Sequence, residues 1–281
     1  MAARATPPGY WSSPLRRQTS GALLAGGLIG FIAGLIGVGG GEFRLPVLLL
    51  LFGMSARAGV PMNLVVSLIT LLGAFAVRGF AFSLESLHDF TDAIHGLMLG
   101  ALVGAFLAPA LLHRISERRF KRLLALLLLV IAIILVAEGS FEFVPVGYLD
   151  PLSWTGGGAG VLFGAVIGTI AALMGVAGGE FLIPTLILVY GADAATAGTA
   201  SLAISIVAVT AGLVRYGRLH MLPSRGELRR IAIPMGLASV AGTIPGGLLA
   251  AHVPDSSLKL VLAAILVVAA AKTSRGREPA S

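Results

Sequence analysis

Two glutamates set among glycines are the residues of this chain best placed to do chemistry. Glu42 lies in Gly37-Val-Gly-Gly-Gly-Glu-Phe-Arg-Leu-Pro46, and Glu180 in Gly175-Val-Ala-Gly-Gly-Glu-Phe-Leu-Ile-Pro184. The flanking sequence is strongly apolar. A carboxylate held in such a segment at membrane depth costs about 2.5–3.5 kcal/mol on insertion scales. A position in the first turn of a helix returns only about 0.3–1 kcal/mol through the macrodipole. The pair therefore reads in two ways, as caps of short helices or as carriers of a proton or cation. The glycines suggest a second chemistry. Successive N–H groups at Gly39, Gly40 and Gly41, and at Gly178 and Gly179, would form a concave donor site ahead of a helix start, which suits an anion. Asn63 and Ser67, with Ser201 and Ser205 at the matching positions, lie four apart on one face of the next segment. They read either as interhelical hydrogen-bonding groups or as substrate contacts. Arg44, matched by Leu182, reads as a partner of Glu42 or as a side chain reaching to an interface.

The two motifs agree at seven of ten positions and are separated by 138 residues. The same offset carries Gly26 and Gly30 onto Gly164 and Gly168, Gly53 onto Gly191, Gly104 onto Gly242, and Lys121 onto Lys259. The chain is one unit written twice, over about 21–137 and 159–272. Each unit opens with a glycine stripe, Gly26–Gly30–Gly34 or Gly160–Gly164–Gly168, which predicts close helix crossing. The short apolar piece after each motif reaches only about 16 Å as a helix, half a membrane. A glycine break followed by a half-length helix predicts a discontinuous hairpin. Pro46 and Pro184 are expected in the first turn of that helix, where the missing N–H costs nothing. Three longer segments follow in each unit.

Composition fixes the class. The 281 residues are 57% hydrophobic and 12% charged, with a mean hydropathy of +0.95. Apolar runs of membrane-spanning length recur. The fold class is all-α and polytopic, with two inverted repeats, each a short glycine-broken hairpin plus three longer helices, about 8–10 membrane segments in all. The net charge of +7 belongs to short loops and tails and not to a nucleic-acid surface, so no nucleic acid is expected as a partner. Without cysteine there is no disulfide and no thiolate chemistry, and the five histidines lack metal-ligand spacing. No metal and no cofactor is expected. No nucleophile–base constellation is visible, so no catalytic residue is assigned and the chain is not expected to be an enzyme.

Loop charges set the topology. The segment 113–122 holds Arg114, Arg118, Arg119, Lys121 and Arg122, and 215–230 holds Arg215, Arg218, Arg225, Arg229 and Arg230. The homologous loops, 83–91 and 252–257, contain no lysine or arginine. Homologous loops thus exchange character between the units, which predicts inversion, with both termini cytoplasmic. The expected organisation is a cytoplasmic tail at 1–20, repeat 1 at 21–137, an extracytoplasmic linker at 138–158, repeat 2 at 159–272 and a cytoplasmic tail at 273–281.

On the doubled Gly-Val-Gly-Gly-Gly-x4-Pro motif and the small-polar helix after it, the chain resembles the TauE/SafE family of membrane transporters. The resemblance spans both units. It implies a plasma-membrane permease for small anions, often sulfur-containing, working without a bound cofactor. Two departures stand out: glutamate occupies 42 and 180 where family members often carry an apolar residue, and Ala177 replaces the middle glycine. The glutamates point toward protons as the coupling ion. The leading expectation is a secondary transporter of a sulfur-containing or carboxylate anion in the lipid bilayer. The alternatives are an anion channel, a membrane-embedded enzyme, or a scaffold without transport.

Overall fold

The computed structural model describes residues 15–36, 40–81, 85–140, 147–250 and 255–275. Among them every regular element is helical. The order is α1 (Leu15–Ile36), α2 (Gly41–Leu50), α3 (Ala56–Ala81), a 3₁₀ turn (Glu85–Phe90), α4 (Thr91–Arg114), α5 (Glu117–Ser140), α6 (Trp154–Met174), α7 (Gly179–Tyr190), α8 (Ala194–Arg218), the short α9 (Arg225–Glu227), a π-turn (Leu228–Ala232), α10 (Ile233–Ala250) and α11 (Asp255–Arg275). Among the described residues, seven helices are long and apolar enough to cross a membrane, and α7 is a shorter apolar helix. Large aliphatic side chains stand exposed along their outer faces, such as Leu28, Ile133, Leu162 and Leu248. In water such a surface would aggregate, and in lipid it is the expected exterior.

Helix ends fall differently from the sequence expectation in two places. α1 begins at Leu15, inside the stretch expected to be a polar tail. The basic clusters also lie largely on helix ends. α4 runs through Arg114, α5 starts at Glu117, and α8 runs through Arg218. Long cationic side chains can leave a helix end for water without ending the helix.

The glycine stripes do what their spacing predicts. A Cβ on Gly26, Gly30 or Gly34 would run into the backbone of Met235, Ser239 or Thr243 on α10. One on Gly164 or Gly168 would run into Leu97 or Ala101 on α4. Ser239 Oγ donates to the Gly26 carbonyl at 3.0 Å, fastening the first crossing. Residue numbers climb together along both interfaces, so α1 runs parallel to α10, and α6 parallel to α4. Each stripe therefore grips the fourth segment of the opposite unit. α3 meets α8 and α5 meets α11, so the 138-residue offset maps every one of these pairs onto another or onto itself. The two units interlock: the buried apolar residues form two clusters, and each draws side chains from both units.

Candidate functional site

Each short helix begins at a left-handed glycine. Gly40 has φ 67° and ψ 10°, and Gly178 has φ 86° and ψ 1°. A side chain in that conformation would cost about 1–2 kcal/mol, so the break needs glycine. The break turns the chain back on its own unit: a Cβ on Gly40 would touch Ala33 and Ile29 of α1, and one on Gly178 would touch Ala171 and Ile167 of α6. These contacts match at the 138-residue offset. α2 and α7 span 10 and 12 residues, about 15–18 Å at 1.5 Å per residue. The half-length helices expected from sequence are present. Gly39 and the rest of 37–39 lie outside the described residues.

The prolines are not where the sequence suggested. Pro46 and Pro184 lie inside α2 and α7 rather than in the first turn. Each is four residues past a glutamate, so each removes the N–H that the Glu42 or Glu180 carbonyl would accept from. The backbone beside both carboxylates therefore has spare acceptor capacity.

Glu42 and Glu180 start these helices and are both buried, 1% and 8% exposed. One comes from each unit, and their carboxyl groups approach within hydrogen-bonding reach of each other. No described protein donor reaches Glu42 Oε2 or either oxygen of Glu180. Arg44, one turn into α2, is 1% exposed. Its Nε donates to Asn63 Oδ1 at 3.2 Å and its Nη2 to Ser67 Oγ at 2.9 Å. Its charge acts on both glutamates. Asn63 Nδ2 in turn donates to the Gly41 carbonyl at 2.8 Å, tying α3 to the break. The breaks also meet each other: a Cβ on Gly41 would lie 3.3 Å from Val176 Cα and 3.4 Å from Ser67 Oγ.

Of the residues singled out from sequence, Gly40, Gly41, Glu42, Asn63, Ser67 and Glu180 are thus linked around one buried point. Asn63 and Ser67 serve as ligands of Arg44. Gly178 caps α7, and Gly179 faces open space, with nothing within 4 Å of a Cβ built on it. Ser201 spends its hydroxyl on the Gly198 carbonyl one turn back, at 2.9 Å. Ser205 is buried one turn further along α8. Arg44 was left out of the expected site, although an unrepeated cation in a half-length apolar helix was a signal that could have placed it there. Two carboxyl groups and one guanidinium, all withdrawn from water, make a site whose net charge changes sign with its protonation. One guanidinium and two carboxyl groups sum to −1, 0 or +1 as zero, one or two protons bind.

A helical bundle of membrane-spanning length, doubled and broken by glycine at a buried polar centre, defines a multi-pass membrane protein of transporter type. The family model described as "Sulfite exporter TauE/SafE" matches residues 1–135 and 160–281, and the chain belongs to that family. A "Probable membrane transporter protein" of Haemophilus influenzae is 28% identical over 170 residues, which is 58% of this chain and 61% of that relative. The chain thus matches less than two thirds of that relative's length. No solved structure matches.

Proposed function

We propose that the protein is a secondary transporter of a small, sulfur-containing or carboxylate anion across the plasma membrane, coupled to protons through Glu42 and Glu180. The observation that carries this reading is the meeting of two buried glutamates, one from each unit, beside Arg44. Two ionised carboxylates without a donor repel each other. A proton between them supplies the missing bond and leaves the site neutral, and a second proton leaves the guanidinium as the only charge. In that state an anion is attracted to Arg44 and to the N–H groups at the start of α7, where Gly179 faces open space. Loss of protons on the opposite side restores the negative charge and expels the anion. Two protons then move with each anion, so a dianion crosses as a neutral load and a monovalent carboxylate carries one net positive charge with it.

The topology that goes with this reading has the units inverted, over 21–137 and 159–272. Both termini, 113–122 and 215–230 are cytoplasmic, and 138–158 lies outside. The parallel registers of α1 with α10 and α6 with α4 are the contacts that two hairpins entering from opposite faces would make. The test is uptake into proteoliposomes against pH, with sulfite, sulfoacetate or a simple carboxylate as load. Wild type is expected to take up anion faster under an inward proton gradient. Glu42→Gln/Glu180→Gln keeps the size and polarity of both side chains and is expected to lose the gradient response. Gradient-driven uptake with an unchanged pH profile in that variant would leave the glutamates as caps alone.

A further inference from the structure

At one end of the bundle a cavity of about 500 Å³ opens between the turn before α3, the end of α4 and the turn after α8. Arg57, Ala58, His113 and His220 line its mouth, and Met62 lies among its walls. Met62 is 1% exposed and is the residue before Asn63, which holds Arg44. Ala58 and Met62 stand four apart on one face of α3, so the cavity follows that face inward for one helical turn. Its frame is fixed. Arg57 donates to the His113 carbonyl at 3.1 Å, and Glu117 accepts from the Ala56 N–H at 2.8 Å, pinning the start of α3 to the α4–α5 turn. On the other wall His220 takes a left-handed φ of 54°, and Ser224 and Glu227 close a capping box that holds the α8–α9 turn.

The electrostatics of this end are one-signed. Arg57, the five cations of 113–122 and the five of 215–230 make eleven, against the two carboxylates Glu117 and Glu227. The 138-residue offset carries Ser55, Arg57, Ala58 and Met62 onto Asp193, Ala195, Thr196 and Ala200. The corresponding start of α8 therefore has an acid and no cation, and alanine where Met62 stands. A summed positive field over a low-dielectric cleft concentrates anions there. We infer that this cavity is the cytoplasmic vestibule of the transport path, a binding site that collects small anions, and that Met62 closes its inner end. The unbranched, flexible methionine can swing aside where a branched side chain could not. A field at one mouth changes the rate and affinity of capture from that side. It does not set the direction of net transport, which the gradients decide.

The inference rests on the reading of the protein as an anion transporter, but its test reads access and potential without transport. A flat pH profile of uptake and a failed labelling test are therefore separate results. The chain has no cysteine, so single cysteines can be placed in the natural background. Ala58→Cys, at the cavity mouth, is labelled in inside-out and right-side-out vesicles with two thiosulfonates, one ending in a sulfonate and one in trimethylammonium. Rates are taken relative to free cysteine in solution. The anionic reagent is expected to be favoured about tenfold at low salt, from the cytoplasmic side, with the ratio collapsing toward one in 1 M salt. Arg57→Gln lowers the ratio and Glu227→Gln raises it, and their opposite signs separate a field effect from loss of a packing contact. Met62→Cys should react at least about tenfold more slowly than Ala58→Cys from the same side, because its side chain is covered. A ratio of one at low salt, or labelling from the outer face only, overturns the anion-collecting vestibule. Equal rates at 58 and 62 overturn the closing role of Met62.

Discussion

The hairpins α1–α2 and α6–α7 share a backbone and differ in charge. Both turn at a left-handed glycine, at Gly40 and Gly178, and both fold back on matching residues of the preceding helix. Both place a glutamate at the second position of the half-length helix. The first then carries Arg44 onto Asn63 and Ser67, whereas the second carries Leu182 into a wholly apolar contact. Duplication thus preserved the geometry that brings two carboxyl groups together, and one substitution made the pair asymmetric. A symmetric pair of acids could only hold protons. With one guanidinium added, the same pair can, in the proposed cycle, alternate between repelling and attracting an anion.

Copying the second unit onto the first breaks that asymmetry and carries the largest expected effect. Arg44→Leu removes the donor to Asn63 Oδ1 and to Ser67 Oγ, and a buried polar group left unmade costs about 1–3 kcal/mol. Uptake should vanish and the midpoint of thermal unfolding in detergent should fall. Arg44→Lys keeps the charge but cannot reach both acceptors with a rigid fork, and it should retain measurable uptake. Arg44→Leu/Leu182→Arg moves the cation to the other hairpin. Rescue is not expected, because serine stands at 201 where α3 has Asn63, and its hydroxyl is committed to Gly198. Restored uptake in the double variant would show that the site needs only a cation and not its particular cradle.

Gly30 and Gly168 correspond at the 138-residue offset and both press on a facing backbone, so matched changes should have matched effects. Gly30→Ala and Gly168→Ala each drive a methyl group into the backbone of a facing helix, Ser239 or Ala101. Backbone cannot move aside as a flexible side chain can, and overpacking of this kind costs about 1–3 kcal/mol or more. Both variants should lose thermal stability by similar amounts. A large loss in one and none in the other would mean that the two crossings are not equivalent.

The next comparison is smaller and sits at the breaks. Gly41 is packed against Val176 and Ser67, whereas Gly179 faces open space. Gly41→Ala should lower stability and uptake together. Gly179→Ala should leave stability within about 0.5 kcal/mol of wild type. Its effect on uptake then reports whether the space beside Gly179 is used by the anion: a higher KM at unchanged stability places substrate there.

How far this could be read in advance depended on range. The stripes follow from glycine spacing at i, i+4 and i+8, and the half-length helices from a glycine run followed by a short apolar piece, both local rules with a local cause. The partner of each stripe did not follow, since Gly26 and Ser239 are joined across 213 residues. Nor did the particular partner of Asn63 and Ser67, which read from sequence either as interhelical hydrogen-bonding groups or as substrate contacts. They hold a side chain 19 and 23 residues earlier in the chain, and no periodicity announces a guanidinium between two helices. The placement of Pro46 and Pro184 was misread for a related reason. Proline is favoured in first turns, and only the position of the left-handed glycine fixes where the turn begins.

The smallest expected effect tests whether the pH response belongs to the centre at all. Asp193 stands at the start of α8, where the offset places Ser55 before α3. It lies outside the spanning helix and accepts from the Ala195 and Thr196 N–H groups at 2.9 and 3.0 Å. The Thr196 side chain first, and then these backbone donors, hold its carboxyl below the usual carboxylate range. A depressed value means that the cap's contribution is present above the unfolded value of about 3.9 and is lost as pH falls through the lower folded value. Between pH 5 and 8 the cap is therefore constant. Asp193→Ala should reduce stability at pH 7 by about 1 kcal/mol, the usual loss for an N-cap. The gap from wild type should narrow below pH 4 as the natural carboxylate protonates. Uptake by this variant should keep the wild-type pH profile between pH 5 and 8, with only its amplitude reduced. A flattened profile in Asp193→Ala would move the titrating group from the meeting of Glu42 and Glu180 to the end of α8. The asymmetry between the two hairpins would then concern anion binding alone.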